Sequence, residues 1–259
     1  MRKLFFIILS LVIVSSTFAQ KQSKKERRDQ NRKRIDALIK QEEEGVVAYK
    51  KHTIFGVKLI NSGYGAFIEL GRLKTVKKGM LYQLEISEYK STREEKQSNL
   101  FAYSTPFAFG KQNFFYPVKL GVQQQILFGN KSNKNGVSIT GNYGGGISIG
   151  LVRPYYVHLG ATNTYIKYES ADSAKFLDPS GISGGPGFSK GWSDLTVNPG
   201  AYLKTALRFD YGSYNEIVSA IEVGISADYY SKKVPLMVHE TKRQFFFTGY
   251  VSILFGRRK

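Results

Sequence analysis

The sequence predicts an all-β chain, an eight-stranded antiparallel transmembrane β-barrel preceded by a short basic segment able to form a helix. Three observations carry this. Apolar and polar residues alternate with period two in one segment after another from His52 to Gly256. The connections between those segments alternate between short and long in the way barrel turns and outer loops do. Composition agrees, with 26 Gly, 17 Tyr and 18 Phe in 259 residues, which suits strands, tight turns and aromatic belts.

The chain opens with Arg2 and Lys3, an apolar run from Leu4 to Val14, and Ser15-Ser16-Thr17-Phe18-Ala19. A basic start, a short apolar core and small residues predict a secretory signal peptide over 1–19. The run is too short for a spanning helix, which needs roughly 20 residues. No later stretch is apolar enough to be one. The chain contains no cysteine, so disulfides, thiolate metal sites and a lipoprotein anchor are excluded. A net charge of +18 would suggest nucleic acid as a partner, but export points instead to lipid phosphates or acidic wall polymer.

Residues 20–45 form a separate periplasmic segment. Lys21 to Arg34 holds eight basic residues against Glu26 and Asp29, and Glu42-Glu43-Glu44-Gly45 closes it. Cations at the start and anions at the end oppose a helix dipole. Ile35, Leu38 and Ile39 make only a small apolar patch, so a solvated tail is expected.

The barrel is expected over 46–259, with strands near 52–62, 65–75, 80–90, 114–128, 136–151, 200–211, 215–230 and 243–256. The last is the clearest. Phe245, Phe247, Gly249, Val251, Ile253 and Phe255 share one face, opposite Gln244, Thr248, Tyr250 and Ser252, with Phe246 and Leu254 breaking the pattern. Other apolar faces are Phe55-Val57-Leu59, Ala66-Ile68-Leu70, Tyr82-Leu84-Ile86, Val118-Leu120-Val122 and Ile221-Val223-Ile225. With periplasmic termini, the long loops 91–113 and 152–199 and the loop 231–242 fall outside.

Four stretches, Gly110-Lys111-Gln112-Asn113, Phe176-Leu177-Asp178-Pro179, Ala206-Leu207-Arg208-Phe209-Asp210-Tyr211-Gly212 and Phe255-Gly256-Arg257-Arg258-Lys259, resemble small outer-membrane barrels of the Bacteroidota, a largely uncharacterised family. More loosely, the layout is similar to the eight-stranded membrane domain of outer-membrane protein A. The resemblance implies insertion by the outer-membrane assembly machinery, which reads a near-terminal aromatic such as Phe255. It implies no cofactor and no catalytic residues.

Opposite the apolar faces stand Lys58, Glu69, Glu85, Lys119, Lys204, Arg208, Asp210, Glu222 and Asp228. These nine are expected to close the lumen with ion pairs. A two-residue turn at Gly63-Tyr64 would set Lys58 opposite Glu69, and a loop Tyr211 to Asn215 would set Lys204 opposite Glu222. Lys111, Arg153, Lys232, Lys233, Lys242 and Arg243 are expected at the outer rim, beside phosphates of lipopolysaccharide and other outer-membrane lipid.

Catalysis has little support in the sequence. His52, His158 and His239 have no serine and acid at an evident spacing on a shared face. Gly181-Ile182-Ser183-Gly184-Gly185-Pro186-Gly187 is glycine-rich without the Gly-Lys-Ser/Thr ending of a nucleotide loop. Asp172, Asp178 and Asp194 lack calcium-loop spacing. Phe176, Phe188 and Trp192 suggest that loop 152–199 folds on itself or on a partner. The expectation is a non-catalytic, structural or interaction component of the outer membrane, alone or in a larger outer-membrane complex. A narrow solute channel and a lipid-modifying enzyme are the competing readings.

Overall fold

The computed structural model describes residues 50–75, 77–98, 105–131, 136–169, 171–212 and 216–258. The signal-like run 1–19 and the basic segment 20–45 lie outside these. In chain order the strands are β1 Lys51–Ile60, β2 Gly63–Leu73, β3 Lys78–Tyr89, β4 Lys96–Gln97, β5 Phe107–Ala108, β6 Asn113–Gly129 and β7 Ser138–Pro154. They continue with β8 Tyr156–Leu159, β9 Thr164–Lys167, one short helix α1 Ser173–Phe176, β10 Ile182–Gly184, β11 Thr196–Asp210, β12 Ile217–Val234 and β13 Arg243–Arg258. Eight of them close an antiparallel barrel in the order β1-β13-β12-β11-β7-β6-β3-β2. The eight expected strands are present, several longer than expected.

The burial pattern is that of a barrel turned inside out. Along β1 exposure alternates without a break, and Phe55, Val57 and Leu59 face outward beside Ile68, Leu70, Leu84 and Ile86. The same face continues around the wall through Leu120, Ile147, Leu203, Val223 and Ile253. Phe246 and Leu254, which break the pattern of β13, point inward and are buried.

Large inward side chains sit opposite glycines. Phe67 faces Gly56 and His52 faces Gly71 across β1 and β2. Tyr230 faces Gly200 and Tyr250 faces Gly224 in the same way. A Cβ at Gly56 or Gly71 would overlap the facing ring. Alternating small and large residues is how a narrow barrel is filled without a void.

Two hairpin registers differ from expectation, each by four residues, so the faces are preserved. In the first, Asn61-Ser62 forms the turn and Ile60 pairs with Gly63. Gly63 stands just after the turn at φ +155, where a Cβ would run into the Glu88 carbonyl oxygen of β3. The glycine therefore serves the close approach of β3. In the second, Asp210 pairs with Ala220 rather than Glu216. The Glu216 carbonyl accepts a hydrogen bond from the Arg258 backbone N–H, and the Asp210 carboxylate accepts one from Gly212. β12 thus pairs with β13 from Ile217 on but with β11 only from Ala220 on.

The loops after β3, β7 and β12 form a cap at the end of the barrel that also carries the Asn61-Ser62 turn, where the Lys90 N–H donates to the Ser62 carbonyl. β8, β9 and β10 make a three-stranded sheet and β4 pairs with β5. Phe107, Ala108, Tyr155, Val157, Leu159, Phe176 and Ile182 form a core of their own beneath it. The long loop thus folds on itself around Phe176, whereas Phe188 is 82% exposed.

Candidate functional site

All nine charged residues expected inside lie on the inner face and are buried. Arg208 is the centre. Its guanidinium donates to both Glu69 oxygens at 2.7 Å and to Glu222 Oε2 at 2.9 and 2.7 Å. Glu222 also pairs with Lys204 at 3.0 Å and accepts from Tyr250 at 2.9 Å and Asn142 at 3.1 Å. Closer to the cap, Lys58 pairs with Glu85 at 2.5 Å and Lys119 with Asp228 at 2.7 Å. Tyr89 donates to Asp228 at 2.7 Å.

The partners differ in part from those expected. Lys58 meets Glu85, not Glu69, because the first hairpin places Gly65 opposite Lys58. Lys204 does meet Glu222, although Ser226 is directly opposite it and Arg208 is opposite Glu222. Glu222 stands four residues along β12 from that opposite position, and the two long side chains meet by leaning towards each other inside the lumen. Three ionisable members were missed, among them Lys131, buried after β6 with Nζ 3.6 Å from Asp210. His52, placed at the opening of β1, is buried with Nε2 3.2 Å from Glu69. Arg258 belongs to β13, beyond the expected end of that strand, and reaches Asp210. Its even position, in register with the inward residues of β13, was the available signal.

Above the ionic layer the lumen is aromatic. Tyr89, Phe115, Tyr230 and Phe246 pack with ring centroids 5.0–5.9 Å apart. Val234 and Leu236 cover them as the chain folds inward after β12. Below the ionic layer Ile54, Phe67, Val218, Ala220 and Leu254 form an apolar patch. A cavity of about 40 Å³ lies beneath, lined by His52, Gln125, Arg208, Asp210 and Arg258 among others. That is room for very few waters.

Of the six expected rim cations, Lys232, Lys233, Lys242 and Arg243 are exposed at the cap end. Lys111 and Arg153 are not at a lipid-facing rim, which corrects the expectation for both. Lys111 is buried under the loops, 2.7 Å from Glu94 and over the Phe114 ring. Burial lowers its pKa against the opposing pull of Glu94. Arg153 lies over the rings of Phe114 at 4.0 Å and Trp192 at 4.7 Å and donates to the Phe188 carbonyl. Cation–π contact and loop packing took both cations inward.

The histidines separate in the fold. His239 is exposed in the loop after β12. His158, for which the sequence offers no serine and acid at an evident spacing, has Nδ1 2.6 Å from Ser183 Oγ and Nε2 2.9 Å from Asn163 Oδ1. Its partners lie 25 and 5 residues away, a separation that no local pattern shows. On the same sheet Tyr156 donates to Asp194, and that bond, followed by Lys167, holds the Asp194 carboxyl below the usual aspartate range. Asp172, Asp178 and Asp194 do not gather; among the described residues no group of three or more such side chains could hold a metal.

No family model matches this sequence, and no curated protein does. Solved structures do. The N-terminal β-barrel domain of Pseudomonas aeruginosa OprF is 9% identical with a TM-score of 0.38, over 80% of this chain and 98% of that one. Neisserial surface protein A is 12% identical with a TM-score of 0.37, over 81% and 96%. Ail, the attachment invasion locus protein of Yersinia pestis, is 8% identical with a TM-score of 0.38, over 82% and 100%. At such identities no residue role is carried across.

Proposed function

We propose that this chain is an outer-membrane barrel whose lumen is closed by its own side chains. It acts as a structural or interaction component of that membrane, and the barrel itself is not catalytic. The supporting observation is the inverted wall, with charges and aromatics filling the inside and an apolar belt outside. Monomeric proteins in water rarely expose apolar patches beyond a few hundred Å², whereas a lipid phase favours such a belt. An eight-stranded barrel is just wide enough to be filled by side chains. Each charge buried there has a partner, which offsets the cost of its burial.

Planar-bilayer recording of the purified protein tests this. The wild type should be nearly silent, and Lys204→Ala or Glu222→Ala should leak. Steady ion-selective conductance from the wild type would replace the closed barrel with a narrow channel.

A further inference from the structure

The cap gathers three side chains of hydrolytic type. His158 of β8 and Ser183 of β10 lie on the outer face of the small sheet, while Val157, Leu159 and Ile182 point into the cap core. Ser183 Oγ is 2.6 Å from His158 Nδ1, and His158 Nε2 is 2.9 Å from Asn163 Oδ1. Ser183 is also the centre of Gly181-Ile182-Ser183-Gly184-Gly185. That is the G-x-S-x-G spacing whose small neighbours leave a serine hydroxyl open to attack a substrate. Here it lies on a strand edge and not at a strand–helix elbow, so the spacing counts for less than the contacts.

We propose that Ser183, His158 and Asn163 form a nucleophilic site for carboxylic esters with an apolar acyl group, presented at the outer face of the cap. This goes beyond the closed-barrel reading, in which the barrel only anchors the cap, and does not depend on it.

A staple between β8 and β10 would need one hydrogen bond. Here both ring nitrogens are engaged. A proton on Nε2 given to the Asn163 oxygen leaves Nδ1 free to accept the serine proton, the division of labour a base requires. Asparagine fills the orienting position in Cys-His-Asn proteases. Asn163 is held at φ 50, alone among the described non-glycine residues in the left-handed region, a conformation that is rarely populated without cause. The Ser183 hydroxyl is also 3.2 Å from the His158 carbonyl, a longer contact than the one to the ring. Ser183 and His158 are half-buried and so remain accessible. Tyr165, 41% exposed, has its ring centroid 4.8 Å from that of His158 and offers apolar surface for the acyl group.

Ser183 Oγ attacks the ester carbonyl carbon as its proton passes to His158 Nδ1. The adduct collapses, the C–O bond to the alcohol breaks, and the alcohol leaves with that proton. Water then attacks the acyl-serine and gives a proton to Nδ1. The acyl–Oγ bond breaks, the acid departs, and Oγ recovers the proton. Asn163 positions the ring throughout.

The full chain in detergent micelles is treated with a fluorophosphonate probe and assayed with p-nitrophenyl butyrate. One adduct should map to Ser183. Ser183→Ala and His158→Gln should each lower hydrolysis by about 100-fold or more. Asn163→Ala should lower kcat at least about tenfold with unchanged KM, and Asn163→Asp should restore it. Since the chain has no cysteine, Ser183→Cys supplies a single thiol as a second test. Its alkylation should be at least about tenfold faster with His158 than with His158→Gln. No adduct at Ser183, hydrolysis unchanged in Ser183→Ala, or equal alkylation rates would reduce the cluster to a staple.

Discussion

Arg208 shows what one residue does inside this barrel. Its fork answers two carboxylates, Glu69 and Glu222, that face each other in the lumen. Removing it leaves both buried without their main partner, so Arg208→Ala should destabilise the protein by about 3–5 kcal/mol. Arg208→Lys keeps the charge but loses the fork, and should fall between. Urea unfolding in lipid vesicles at neutral pH checks the order; equal midpoints for all three would refute it. At this scale the inward charges were legible, because parity along a strand decides the face. Their partners were not. Lys58 chooses Glu85 over Glu69 because the hairpin register differs by four residues, and parity is blind to an even shift.

The elements are fitted to one another by their glycines. On β12, Gly224 lies beneath the Tyr250 ring, and a Cβ there would come within 2.7 Å of Cζ. Tyr250 cannot swing away without giving up its hydrogen bond to Glu222. Gly224→Val should therefore cost about 1–3 kcal/mol by overpacking, read as a lower urea midpoint. A matching Gly249→Val, where nothing lies within 4 Å, should change it far less. If the two variants behave alike, the glycine sockets are incidental. The strands could be read from alternation over ten residues or more. The cap sheet could not. β8 and β9 are four residues each and β10 three, too short for a period-two signal, and their core borrows Phe107 and Ala108 from another loop.

For the whole molecule, the closed barrel gathers the loops after β3, β7 and β12 into a cap at one end. If the cap faces outward, Phe188→Cys is a single thiol at an exposed position. A membrane-impermeant maleimide should label it on intact cells, and labelling only after lysis would invert the topology. The sequence by itself determined the fold class, the number of barrel strands, which apolar faces point outward, and which charges enter the lumen. All of these follow from local periodicity and connection length. Only the tertiary structure decided the pairing of those charges, the burial of Lys111 and Arg153, and the meeting of His158 with Ser183. The reason is distance along the chain. Glu69 and Arg208 are 139 residues apart, and what brings them together is register summed around a closed sheet, which no single segment contains.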